Sequence, residues 1–197
     1  MKRMAMVFAL VGATAGPALA QNSVQLIGGL SNADHSAAVF AAALAARRGP
    51  IEIGAEGGRL VDILPSGIAA ASRVISGGTV TASLPAWYGL ATLRVLVPIG
   101  PIEPFVSTGA GFAHLEPQVT YVSPTINATI VFGDGRQQTK FLGTLGAGVR
   151  VAVGPASLEG GYRYFRVFQH YRPDTNFSND EVLVTAHVIY AAIGIRF

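Results

Sequence analysis

Four histidines, His35, His114, His170 and His187, are the residues best suited to metal ligation or acid–base work. Their spacing forms no H-E-x-x-H, and the absence of cysteine removes thiolate metal sites and disulfides. His35 and His170 fall in or beside connecting segments, where solvation accounts for them; His114 and His187 fall near strand ends, at a rim. Gly109-Ala-Gly111 and Gly146-Ala-Gly148 neither complete G-x-G-x-x-G nor open a helix, so they read as strand glycines rather than phosphate loops. No G-x-S-x-G elbow occurs. Asp174, Asp180 and Glu181 offer oxygen ligands to a divalent cation, but a solvated acidic loop is the better reading. The pattern therefore predicts no catalytic residue, no metal and no cofactor.

The charges that do follow a pattern lie inside β-strands. Ile51 and Ile53 alternate with Glu52, Gly54 and Glu56; Trp87, Leu93, Val95 and Val97 with Tyr88, Thr92 and Arg94. Phe141, Leu145, Val149 and Val151 alternate with Lys140, Thr144, Gly146, Gly148 and Arg150; Leu158, Tyr162 and Tyr164 with Glu159, Gly161 and Arg163. Period two puts each set on its own face. A water-facing side would carry many Lys and Glu and few glycines. Small residues with sparse charges of both signs suit a cramped interior instead. Glu52, Glu56 and Glu159 are thus expected to point into a lumen with Arg94, Arg150 and Arg163, because a buried charge without a partner is strongly unfavourable. Arg59 falls on the apolar face if its strand runs unbroken, and inside if Gly57-Gly58 form a bulge. The phase of Phe105–His114 stays open.

Eight strands position these residues, at about 23–31, 37–47, 51–62, 86–98, 102–116, 139–153, 157–169 and 184–197. Each is long enough for the ~9–11 residues that a tilted strand needs to cross a bilayer core. Three connections are tight: Arg48-Gly49-Pro50, Pro98-Ile99-Gly100-Pro101 and Gly154-Pro155-Ala156. They alternate with longer links at 32–36, 63–85, 117–138 and 170–183. Tight turns at one end and long links at the other are the signature of a membrane barrel. The segment 66–75 suits a short helix or a flexible Ala/Ser/Gly loop. Tyr88, Tyr121, Tyr162, Tyr164, Phe165 and Phe168 are candidates for interfacial aromatic girdles.

Composition and the amino terminus agree. Lys2 and Arg3 precede an apolar stretch, and Ala18-Leu19-Ala20 supplies an A-x-A cleavage site, so 1–20 reads as a secretory signal peptide and 21–197 as one domain. Without Lys2 and Arg3, the 14 basic residues fall to 12 against 11 acidic, a net of +1, which argues for no nucleic-acid partner. Half the chain is apolar and only 13% charged, against about 25% in soluble domains. No apolar run after the leader is long enough for a membrane helix. Only helices and closed barrels satisfy their backbone in lipid, which leaves the barrel. A lipocalin-like barrel or a β-sandwich is the soluble alternative.

The last strand alternates Ile189, Ala191, Ile193, Ile195 and Phe197. A strand that ends on an aromatic residue with Ile195 and Ile193 at the alternate positions resembles the assembly signal of bacterial outer-membrane barrels. With Pro104–Phe112, Gly160–Phe165 and Ile193–Phe197, the chain resembles small eight-stranded barrels of the OmpA/OmpX type and is similar to the broad outer-membrane β-barrel domain family. The resemblance implies an all-β, antiparallel, up-and-down transmembrane barrel in the bacterial outer membrane. Its implied partners are outer-membrane lipids, the barrel assembly machinery and an extracellular ligand or surface partner. OmpA-like proteins often add a peptidoglycan-binding domain; this chain stops at the barrel, so tethering is not carried over. Family roles range from envelope integrity and adhesion to small pores and a few enzymes, and fold alone does not choose. The reading favoured is a non-enzymatic structural or surface-interaction role through the outer loops. The alternatives are a narrow porin-like channel or passage for small hydrophobic compounds, and a rim-sited lipid A-modifying hydrolase, for whose Ser/His/acid set no local arrangement is found.

Overall fold

The computed structural model describes residues 21–31, 37–63, 79–116, 118–123, 128–132, 137–168 and 184–197. Residues 1–20, expected to be a signal peptide, and 66–75 lie outside them. Strands β1 (Gln21–Ser31), β2 (Ala37–Arg48), β3 (Ile51–Leu60), β4 (Thr79–Ser83), β5 (Ala86–Leu96) and β6 (Ile102–Leu115) come first. They are followed by β7 (Gln118–Ser123), β8 (Ala128–Phe132), β9 (Gln138–Val153), β10 (Ala156–Val167) and β11 (Thr185–Arg196). Eight of them close a barrel in the order β1-β11-β10-β9-β6-β5-β3-β2, every neighbouring pair antiparallel. Closure leaves no unpaired barrel edge, the condition for a sheet in lipid.

The tight turns are built alike. Gly49, Gly100 and Gly154 each adopt positive φ, near 60°, where a Cβ would be strained. Each is followed by a proline whose carbonyl accepts a ladder bond: Pro50 from Leu96 N (2.8 Å), Pro101 from Ala152 N (3.0 Å), Pro155 from Arg196 N (2.8 Å). Glycine reverses the chain, proline stiffens it, and its missing N–H falls where no ladder bond is needed. The seam closes at the same end, where Asn22 and Phe197 exchange two backbone bonds of 2.9 Å.

At the opposite end two of the long links carry further strands. β4, β7 and β8 form a separate three-stranded antiparallel sheet. The β5–β6 ladder ends at Ala86↔Leu115 and the β4–β7 ladder resumes at Ser83↔Gln118, so the hairpin continues past the barrel rim. The links 63–85 and 117–138, where the sequence pattern predicts no strand, are therefore partly sheet. Asp62 helps to hold this exit: its Oδ1 accepts from Leu84 N at 2.9 Å, and Ile63 N donates to Leu84 O at 3.1 Å.

Burial alternates along the barrel strands. Leu26, Ile53, Val106, Leu145, Ile189, Ile193 and Ile195 are exposed on the outer face, each with more than half its surface uncovered. A water-facing monomer rarely presents a contiguous apolar belt of this kind. β3 runs without a bulge, pairing Ala42↔Gly57, Ala41↔Gly58 and Phe40↔Arg59 in unbroken register, so Arg59 faces outward. β6 also has a clear phase: Glu103, Phe105, Ala113 and Leu115 point inward, Val106 and Phe112 outward.

Candidate functional site

Cross-strand register assembles the lumen charges into two triplets. Arg47, Glu52 and Arg94 are neighbours across β2, β3 and β5; Glu103, Arg150 and Glu159 are neighbours across β6, β9 and β10. One triplet reads plus-minus-plus and the other minus-plus-minus, so across the lumen each charge meets its opposite. Arg47 Nη1 lies 2.7 Å from Glu103 Oε1, Arg150 Nη1 2.6 Å from Glu52 Oε2, and Arg94 Nη1 2.9 Å from Glu159 Oε2. Arg150 also bonds Glu159 through Nη2 at 3.0 Å and contacts Glu52 in bidentate fashion, its Nη2 reaching Oε1 at 2.9 Å. Glu159 further accepts from Tyr190 Oη (2.9 Å) and Gln25 Nε2 (3.4 Å). Glu56 and Arg163 form a separate pair, with Tyr88 Oη donating to Glu56 at 2.8 Å. Arg163 also lies 4.9 Å over the Tyr190 ring.

The structure thus brings together all six charges picked out on the polar faces, Glu52, Glu56, Glu159, Arg94, Arg150 and Arg163. It adds Arg47 and Glu103, which the sequence reading passed over. Both sit next to a tight turn, one on β2, whose inward face is otherwise alanine-rich, and one on β6, whose phase was left open. Their inward parity was the available signal. Gln25 and Tyr190, likewise inward by parity, complete the network.

Water has little room here. Arg150 is 1% exposed, Glu52 2%, Arg94 3% and Glu159 5%. Above this layer, toward the long links, the lumen is filled by Leu60, Leu115, Leu142, Phe165, Val184 and Val188, all at most 2% exposed. A void of about 10 Å³ remains among Leu60, Ile63, Leu142, Phe165 and Val184, no more than one water's space, with apolar walls. The interior is an ionic layer capped by an apolar plug.

Two residues taken as girdle candidates belong to this interior. Tyr88 and Phe165 are 5% and 2% exposed and pack edge-on at 5.4 Å, because both occupy inward positions of their strands. Tyr121 lies in β7, where side chains are outside the described set. The outward aromatics near the long-link rim are Phe40, Trp87, Phe112, Phe141, Tyr162, Tyr164 and Phe168. Phe112 and Phe141 meet edge-on at 5.9 Å, and Phe141 contacts Phe168 at 5.5 Å. This is an aromatic belt of the kind that sits at a membrane interface.

The outward histidines have hydroxyl neighbours. His114 Nδ1 is 3.0 Å from Thr139 Oγ1, and His187 Nδ1 contacts Tyr162 Oη. Among the described residues neither is hydrogen-bonded to a serine or a carboxylate. His35, His170, Asp174, Asp180 and Glu181 lie outside the described residues. Phe197 is exposed on the outer face, as are Ile193 and Ile195. Ala18 and Ala20, the expected cleavage residues, lie outside the described residues.

No protein-family model matches this chain, and no curated protein sequence matches it. Solved structures do. A major outer membrane protein from Thermus thermophilus is 17% identical, with 91% of this chain and 100% of that one covered and a TM-score of 0.54. The N-terminal β-barrel domain of OprF from Pseudomonas aeruginosa is 11% identical, with 90% and 97% covered and a TM-score of 0.50. At such identities the likeness is one of fold: this chain has the architecture of the small eight-stranded outer-membrane barrels.

Proposed function

We propose that this chain is a non-enzymatic bacterial outer-membrane protein with a structural or surface-interaction role, exercised through the connections at the long-link end. The observation that carries this reading is the dry lumen. Arg150, Glu52 and Arg94 are almost without solvent contact beneath an equally buried apolar plug. An ion would have to pass two barriers of different chemistry, one demanding the rupture of a paired charge layer and the other the desolvation of the ion. The apolar outer belt, the aromatic rim and the closed hairpin order support placement in a bilayer. Tight turns then face the periplasm and the long connections the exterior. Export by a cleaved leader at 1–20 and assembly through Phe197, Ile195 and Ile193 belong to the same proposal.

Planar-bilayer conductance and heat-modifiable gel mobility, measured on the same preparations, test it. The folded protein is expected to be silent in the bilayer, and removal of 66–82 or 119–136 to leave mobility unchanged while abolishing capture of surface ligands by whole cells. A stable, conducting barrel whose conductance follows substitutions at Arg94 and Arg150 would replace this reading with a pore.

A further inference from the structure

The barrel strands carry their carboxylates, Glu52, Glu56, Glu103 and Glu159, on the inward face only, and each is paired there with an arginine. Three strand arginines point the other way, Arg48 at the tight-turn end and Arg59 and Arg166 toward the long-link end. Among the described residues none of the three has an acidic partner. A guanidinium on a lipid-facing surface is unfavourable near the bilayer midplane, and the cost falls as it reaches the headgroups. Arg59 and Arg166 share one construction that Arg48 lacks. Arg59 lies 5.2 Å over the Trp87 ring and Arg166 5.7 Å over Phe168. Each guanidinium is thus placed beside an aromatic ring on the outer wall, where a cation is favoured and a planar N–H fork suits a planar or tetrahedral oxyanion. In addition, Arg59 Nε is shielded from solvent and has no hydrogen-bond partner among the described residues.

The surroundings of Arg59 say more about the occupant. One register row runs Phe40, Arg59, Trp87, His114, Thr139 across five adjacent strands, β2, β3, β5, β6 and β9. His114 and Thr139, joined at 3.0 Å, follow Trp87 in that row, two and three strands from the cation, and offer a ring nitrogen and a hydroxyl suited to sugar hydroxyls. Directly below, the outward positions of β3 and β5 are Ala55, Gly57, Gly89 and Ala91, a smooth wall for an acyl chain. We infer that Arg59 on Trp87 and Arg166 on Phe168 are two separate anchors for the phosphates of a phosphorylated, acylated glycolipid in the leaflet at the long-link end. They lie four strands apart in an eight-stranded ring, so each anchors its own lipid. The inference rests on the membrane placement proposed above in taking that leaflet as the outer one, where the anionic lipid is a phosphorylated glucosamine disaccharide.

Trp87 is the only tryptophan in the chain, so its fluorescence reads the first anchor directly. The full mature chain, folded in zwitterionic micelles, is titrated with bis-phosphorylated lipid A, its dephosphorylated form, phosphatidylglycerol and inorganic phosphate, while native mass spectrometry counts bound glycolipid. Lipid A is expected to shift the emission saturably and to bind at two per barrel. Arg59→Gln should weaken the fluorescence-detected binding about tenfold, the loss of one charge-assisted contact. Arg59→Gln and Arg166→Gln should each lower the count to one, and the double variant to none. Arg59→Lys should recover part of the affinity, and Arg48→Gln should change nothing. Equal binding of dephosphorylated lipid A, phosphatidylglycerol or free phosphate overturns the inference, as does an unchanged count in the double variant. Heat-modifiable mobility is followed throughout: a folded, membrane-inserted barrel that ignores lipid A sinks this inference alone, whereas a chain that never partitions into the outer membrane sinks the placement beneath it.

Discussion

Glu159 receives hydrogen bonds from Arg94, Arg150, Tyr190 and Gln25, and Glu52 receives two from Arg150. Removing one partner from such a layer leaves the remaining charge desolvated and unpaired, which costs about 3–5 kcal/mol. Arg150→Ala is therefore expected to lower the urea midpoint of barrel unfolding, followed by gel mobility, far more than Arg196→Ala, whose described contact is with the Gly154 carbonyl at the rim. Coupled replacement should be milder: Glu52→Leu with Arg150→Met removes both charges and is expected to lose less stability than Arg150→Ala alone. The pair Arg47–Glu103 allows a sharper version. Arg47→Glu places a third carboxylate beside Glu52 and Glu103, and adding Glu103→Arg should restore most of the lost stability. If the double variant were no more stable than Arg47→Glu, the cross-lumen pairing would not matter energetically.

Strand-to-strand approach is set by glycines that look equivalent in the sequence. A Cβ at Gly111, on the inward face of β6, would collide with the Gly89 carbonyl oxygen, whereas a Cβ at Gly89 meets nothing within 4 Å. Gly111→Ala should thus destabilise by about 1–3 kcal/mol through forced backbone shifts. Gly89→Ala should stay within about 0.5 kcal/mol, as for substitutions away from packed features. Equal unfolding midpoints for the two variants would contradict the close β5–β6 approach. The same logic separates the barrel from the sheet of β4, β7 and β8. Its ladders share no residue pair with the barrel ladders, so its loss is expected to spare the barrel, while Asp62→Ala, which removes the bond to Leu84 N, should loosen the junction without unfolding either part.

At the scale of the whole molecule, closure depends on the seam between β1 and β11, which ends in the paired backbone bonds of Asn22 and Phe197. Phe197 is 71% exposed, so it contributes little packing to the folded barrel. Truncation of Phe197 is accordingly expected to reduce outer-membrane levels in cells several-fold while lowering the unfolding free energy of refolded protein by only about 1–3 kcal/mol, the loss of its two backbone bonds to Asn22. Normal levels of the truncated protein under native expression would remove the assembly role. The layered interior makes a second expectation at this scale. Trimming the apolar plug with Leu60→Ala or Leu142→Ala should open a cavity and cost about 2–5 kcal/mol without producing conductance, because the ionic layer below stays closed.

Local pattern was enough for the closed barrel. Alternation is a property of each strand alone, and the Gly-Pro turns at 49–50, 100–101 and 154–155 carry their own reversal, so the number of barrel strands, the hairpin order and, outside 105–114, the polarity of each face could be read residue by residue. The same parity put Glu52, Glu56, Arg94, Arg150, Glu159 and Arg163 on inward faces before any partner was known. What parity cannot contain is which inward residue lies across the lumen from which. That depends on the tilt and stagger with which the strands close, and so the match of Arg47 to Glu103, of Glu52 to Arg150 and of Arg94 to Glu159 emerges only in three dimensions. The unbroken register that keeps Arg59 outside and the continuation of the β5–β6 hairpin into a second sheet have the same origin. Each is a consequence of how strands meet, and no strand carries it alone.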